Sequence, residues 1–133
     1  METYEIILKN LVSQQELPLL IEVDEAEKTE NIIIRTVFDG HEVIVFDYGY
    51  FSAFQKFRDE ILLLGYGIKC NGSLPNAVQS NMMSVTDKVY LVELGKKAEL
   101  KNIVCIWDYA EVNYFPNTKQ QNDFVEKWVN NLN

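Results

Sequence analysis

The segment NIIIRTVFDGHEVIVFDY, residues 31–48, constrains the fold of this chain more than any other. Two runs rich in β-branched residues flank Asp39-Gly40, a dipeptide typical of a two-residue hairpin with a type I′ turn. Pairing Phe38 with His41 would place alternate side chains on opposite faces of the hairpin. Because both faces are largely apolar near the open end, we expect both faces to be covered there.

Five further segments alternate in the manner of strands. Two precede the hairpin, at residues 3–9 and 17–24, and three follow it, in GYGIKC, KVYLVELG and NIVCIWDYA. Because the strands come in pairs and helical patterns are few, the sequence predicts an α+β fold with a mixed or mainly antiparallel sheet. The length of 133 residues fits a single domain over residues 1–133.

Two amphipathic helices are predicted, over about residues 52–64 and 119–131. The first carries a stripe of phenylalanines, which we interpret as core packing rather than as a ligand pocket. A capping box is predicted at the start of each helix, formed by Ser52 with Gln55 and by Thr118 with Gln121.

The net charge of −8 lies entirely in the first half of the chain. Residues 1–60 carry 13 acidic and 5 basic side chains, whereas residues 61–133 carry 7 of each. Nucleic acid is not expected as a partner, because phosphate binding needs clustered basic residues and the chain has two arginines, Arg35 and Arg58.

The densest acidic stretch is EVDEAEKTE, residues 22–30, with five carboxylates and one lysine. One interpretation is a solvated loop that keeps the protein soluble. The other is a docking surface for a basic partner, because a surface of one sign speeds encounter with the opposite sign. The candidate contacts are then Glu22, Asp24, Glu25, Glu27 and Glu30, with Asp47 and Tyr48 at a strand end.

Patterns for catalysis and metal binding are weak. A thiol nucleophile at Cys70 would need a nearby base, and the chain's single histidine, His41, falls at the predicted hairpin tip. Two cysteines and one histidine do not supply a zinc site, and no glycine-rich phosphate motif occurs. A pair of carboxylates, such as Asp47 with Asp108, remains an acid–base alternative. We therefore expect no enzymatic activity, no cofactor and no bound metal.

The apolar runs are short. The longest, IVCIW and ILLLGYGI, fall well below the roughly 18 residues that span a bilayer. The first ten residues lack the basic start of a secretory signal, and two cysteines do not form a disulfide framework. We expect a cytoplasmic protein that does not bind a membrane.

The stretch NGSLPNAVQSNMM, residues 71–83, is rich in turn-forming and polar residues. These side chains could satisfy their own backbone. They could also contact a partner, flanked by methionines that adapt to varied apolar surfaces. We expect this stretch to be exposed, with Asn71, Met82 and Met83 as candidate contacts.

The second part of the chain resembles a known group of proteins. The order of segments from YFSAFQKFRDEILLLGYGIKCNGS through QSNMMS and KVYLVELGKKAELKNIVCIWDYAE to FVEKWVNNL is similar to that of small bacterial immunity proteins. These proteins belong to contact-dependent growth inhibition and other polymorphic toxin systems. The resemblance implies a protein that binds and neutralises a cognate toxin domain in the cytoplasm.

Two functions of different classes follow from the sequence. The first is an immunity protein that blocks the active site of a basic, nuclease-type toxin domain, which agrees with the acidic first half of the chain. The alternative is a small ligand-binding accessory protein or enzyme with a pocket between helix and sheet.

Overall fold

The structure is a computed structural model that describes residues 1–29 and 31–132. These residues form eight strands and two α-helices, which confirms the predicted α+β fold. The strands are β1 (Glu2–Asn10), β2 (Glu16–Glu25), β3 (Ile32–Phe38), β4 (His41–Asp47), β5 (Tyr66–Ile68), β6 (Ala77–Val78), β7 (Lys88–Leu91) and β8 (Ile103–Cys105). The helices are α1 (Tyr50–Leu63) and α2 (Thr118–Asn130).

The strands form two antiparallel sheets. The first has the order β4-β3-β2-β1-β5, and the second has the order β6-β7-β8. Neither helix in the described part of the chain is long and apolar enough to cross a membrane.

The hairpin of β3 and β4 has the predicted register, with Phe38 opposite His41. Asp39 and Gly40 have φ values of +49° and +76°. Positive φ at both central residues is what a type I′ turn requires, so the chemistry of this dipeptide set the register of the two strands.

The inner face of the first sheet packs against α1. Leu8, Ile21 and Ile34 of the sheet and Phe54 and Phe57 of the helix are all fully buried. The phenylalanine stripe is therefore core, as predicted. These side chains pack together in one buried cluster between α1 and the sheet.

The prediction that both hairpin faces are covered near the open end is wrong for the outer face, where Phe46 is exposed. Side chains of the inner face are buried, whereas Val37, Ile44 and Phe46 on the outer face are exposed. The second helix, α2, does not cover that face because it packs beside α1, where Gln121 contacts Arg58.

Both helices begin earlier than the predicted capping boxes. The N-cap of α1 is Gly49, whose N–H donates to Oγ of Ser52 at 3.3 Å, so Ser52 lies in the first turn. The N-cap of α2 is Asn117, whose Oδ1 accepts from the N–H of Gln120 at 2.9 Å. Because asparagine is at least as good an N-cap as threonine, α2 begins one residue earlier than predicted. Gln121 is therefore not part of a capping box, and its side chain is buried.

Candidate functional site

Two adjoining cavities open at one end of the first sheet and form what we call the acidic cleft. Their volumes are about 440 and 680 Å³, and both are lined by Glu25, Tyr50 and Val85. The ionisable and aromatic residues of the acidic cleft are Glu2, Tyr4, Asp24, Glu25, Glu27, Tyr48, Tyr50 and Asp87.

Strand register brings these residues together. Glu2 at the start of β1 lies beside the end of β2, because β1 and β2 are antiparallel and Glu2 pairs with Val23. Glu25 at the end of β2 pairs with Ile32, which in turn pairs with Asp47 at the end of β4. The acidic run after β2 is therefore held next to the segment from Tyr48 to Tyr50 that starts α1.

Two tyrosines order the carboxylates of the acidic cleft. Oη of Tyr50 donates to Oε1 of Glu25 at 2.6 Å, and Oη of Tyr4 donates to the carboxylate of Glu2. Burial of each ring, followed by the hydrogen bond to a carboxylate, raises the pKa of both hydroxyls above the ordinary tyrosine value. Both hydroxyls therefore stay protonated and act as donors at neutral pH.

The acidic cleft carries a large excess of negative charge. Five carboxylates line it, and the amino group of Met1 lies 3.6 Å from Oδ1 of Asp24. The exposed side chains of Tyr48 and Val85 lie on its rim. A concave acidic surface with apolar and aromatic edges suits guanidinium or ammonium groups, which pair with carboxylates and stack on aromatic rings.

Three of the predicted contacts, Asp24, Glu25 and Glu27, lie in the acidic cleft, as does Tyr48. Glu22 is on the outer sheet face, where Nε of Arg35 lies 3.6 Å from its Oε2. Glu30 lies outside the described residues.

Asp47 is next to the acidic cleft but is already engaged. Its Oδ2 is 3.2 Å from Nζ of Lys56, and its Oδ1 accepts from the N–H of Tyr48 at 2.7 Å. Asp47 ends β4 of the first sheet, whereas its proposed acid–base partner Asp108 follows β8 of the second sheet.

The prediction that residues 71–83 are exposed is wrong for the first half of the stretch. Gly72, Ser73, Ala77 and Val78 are buried, and Nδ2 of Asn71 donates to the carbonyl of Cys105 at 3.0 Å. Turn-forming side chains are here used to pack a loop against the second sheet. The side chain of Asn71 therefore has a structural role in the described fold.

The second half of the stretch is open. Met82 is 92% exposed, Met83 is half-buried, and Val85 reaches the acidic cleft. Met82 and Met83 lie in a short 3₁₀ helix, Asn81–Met83, that leads to the cleft rim.

The environment of Cys70 is unlike that of a nucleophilic thiol. Cys70 is fully buried, and burial raises the pKa of its thiol to about 11, whereas a reactive cysteine has a lowered pKa. His41 is exposed at the hairpin tip. Within residues 1–29 and 31–132, no group of three or more His, Cys, Asp or Glu side chains is arranged to hold a metal ion.

Sequence reasoning missed Glu2, Tyr4, Tyr50 and Asp87. Oδ1 of Asn10 accepts from the N–H groups of two following residues and so stabilises a tight turn. An asparagine at this position would have predicted that β2 folds back against β1, which places Glu2 beside the end of β2. Asp87 approaches from the second sheet, and we find no sequence signal for this long-range contact.

Comparison with models of known protein families gives no match, and comparison with curated protein sequences gives none either.

Proposed function

We propose that the protein is an immunity protein that binds a cognate, basic toxin domain in the cytoplasm and blocks its active site. The observation that carries this proposal is the acidic cleft. It gathers carboxylates from β1, β2, the segment after β2 and the segment before β7 into one concave surface.

The chemistry of a nuclease supports this choice of partner. A nuclease active site must attract phosphate and therefore presents lysine or arginine side chains. Carboxylates spaced along a surface imitate the charge of a nucleic-acid backbone without offering a bond to cleave. The protein would act by occupying the site and would need no chemistry of its own.

The rim of the acidic cleft supports a protein partner over a small ion. Tyr48 and Val85 line the acidic cleft and are exposed, and the exposed Met82 lies three residues before Val85 in the chain. Aromatic and methionine side chains are enriched in protein interfaces, and a charged centre with apolar contacts gives both a fast encounter and a slow dissociation.

The test uses the C-terminal domain of the large secreted protein expected to be encoded next to this gene. We expect the purified protein to abolish the nuclease activity of that domain at equimolar concentration and to compete with its nucleic-acid substrate for binding. Competition is the critical readout, because an inhibitor that binds elsewhere would lower activity without displacing substrate.

A matched pair of variants controls for charge. The cleft variant carries Asp24→Asn, Glu25→Gln and Glu27→Gln, and we expect it to inhibit less well. The control variant carries Glu93→Gln, Glu99→Gln and Asp123→Asn, which removes the same charge at exposed positions paired with lysines. Absence of binding by the wild-type protein, or equal inhibition by both variants, would contradict the proposal.

A further inference from the structure

The outer face of the first sheet carries an apolar patch that α1 and α2 leave uncovered. Its strongly exposed members are Val37 (70%), Leu20 (61%), Phe46 (60%) and Ile44 (48%). Together with the half-buried Ile33, these residues are defined here as the outer patch.

The members of the outer patch are contiguous. Alternation along β2, β3 and β4 turns them all to the same side of the sheet. Ile33 pairs directly with Phe46, and Arg35, beside Val37 on the same face, pairs with Ile44. A depression of about 490 Å³ in this face is lined by Leu20 and Val37 among others. Contiguous exposed apolar surface of this kind marks an interaction site more often than scattered single residues do.

The charges around the outer patch indicate the chemistry of its occupant. Glu5, Glu22, Asp24 and Glu42 lie on the same face by strand alternation, and the nearby Arg35 is paired with Glu22 at 3.6 Å. A second copy of this chain would oppose like charges, with −8 on each copy. A partner with apolar side chains surrounded by lysine or arginine fits this face better.

The outer patch is continuous with the acidic cleft. Asp24 lies on the outer face and lines the cleft, and it pairs with Ile33 of the outer patch. Phe46 of the outer patch is two residues before Tyr48 on the cleft rim. One partner surface could therefore cover both.

We infer that the outer patch is the apolar part of the docking surface for the same basic toxin domain whose active site the acidic cleft occupies. This inference rests on the proposed function and extends it from a charged contact to a two-part interface. The acidic cleft accelerates encounter, and the outer patch slows dissociation because burial of apolar side chains is what holds a formed complex together.

The test is a double variant, Ile44→Thr/Phe46→Thr, which places a β-branched residue at both positions of the strand and removes the two apolar side chains that β4 contributes to the outer patch. Its control is Val12→Thr/Leu100→Thr, two exposed apolar residues outside the outer patch. The probe is the toxin domain expected to be encoded next to this gene, and the measurement is the rate of dissociation and the equilibrium affinity. We expect the double variant to dissociate about tenfold faster or more, and the control to change by less than about twofold.

The outcomes separate the inference from the proposed function. If the wild-type protein does not bind the toxin domain, the proposed function fails and the inference fails with it. If the wild-type protein binds and the Ile44→Thr/Phe46→Thr variant, shown to be folded, dissociates at the same rate, the inference alone is overturned. If the wild-type protein is a dimer and the Ile44→Thr/Phe46→Thr variant is a monomer, the outer patch is an interface between two copies of the chain. That result would also overturn the inference.

Discussion

Nη2 of Arg58 donates a hydrogen bond of 2.7 Å to Oε1 of Gln121, and both side chains are buried. Arg58 is in α1 and Gln121 is in α2, so this contact fixes the second helix to the first. Burial lowers the pKa of the guanidinium from its ordinary value, while Asp59, whose carboxylate accepts from Nε at 2.9 Å, acts in the opposite direction. Nε2 of Gln121 also donates to the carbonyls of Gly72 and Leu74, both at 2.9 Å.

The first prediction concerns Gln121. Gln121→Ala leaves two carbonyls and part of a buried guanidinium without their partner, so we expect the free energy of unfolding to fall by about 3 kcal/mol. Urea denaturation measures this loss, with Asn122→Ala on the exposed side of α2 as the control, expected to change stability by less than about 0.5 kcal/mol. Equal midpoints for the two variants would show that the contact between the helices contributes little.

The second prediction separates the two halves of residues 71–83. A Cβ at Gly72 would lie 2.8 Å from side-chain atoms of both Ile106 and Phe54, so Gly72→Ala should destabilise the protein by about 1–3 kcal/mol. Met82→Ala removes an exposed side chain and should change stability by less than about 0.5 kcal/mol. Denaturant midpoints in the reverse order would contradict the division of this stretch into a packed and an exposed half.

The third prediction concerns the two thiols. Cys70 is fully buried with a pKa raised to about 11, whereas Cys105 is partly exposed. Burial is also the largest cause that raises the pKa of Cys105, so its labelling should be slow at neutral pH and faster at higher pH. We expect iodoacetamide to label Cys105 in the native protein and Cys70 only after unfolding, as read by mass spectrometry of tryptic peptides. Labelling of Cys70 at the rate of Cys105 would contradict its placement in the core.

Local patterns predicted the fold better than the site. Asp39-Gly40 and the alternation around it fixed the hairpin register, because turn geometry and strand period act over a few neighbouring residues. The hydrogen bond from Asn71 to the carbonyl of Cys105 and the approach of Asp87 to Tyr50 depend on how the two sheets meet, and no local sequence pattern predicts them. The capping boxes were misplaced by one to three positions because competing cap residues, Gly49 and Asn117, stood just before the predicted ones.

The acidic stretch of residues 22–30 likewise shows what local sequence patterns leave undetermined in the candidate site. Its composition predicted a charged surface, but composition alone does not separate Glu22, which pairs with Arg35, from Glu25 and Glu27, which line the acidic cleft. That division follows from position along the chain: Glu22 lies within β2 opposite Arg35, whereas Glu25 ends the strand and Glu27 follows it, where the acidic cleft opens.

The central claim is that the acidic cleft attracts a basic toxin domain, and the association rate tests it most directly. The measurement compares the wild-type protein, the cleft variant and the control variant against the toxin domain at low and high ionic strength. We predict that the cleft variant associates about tenfold more slowly at low ionic strength, that the difference narrows as salt screens the charges, and that the control variant stays near the wild-type rate. A folded cleft variant that associates at the wild-type rate at low ionic strength would contradict the account.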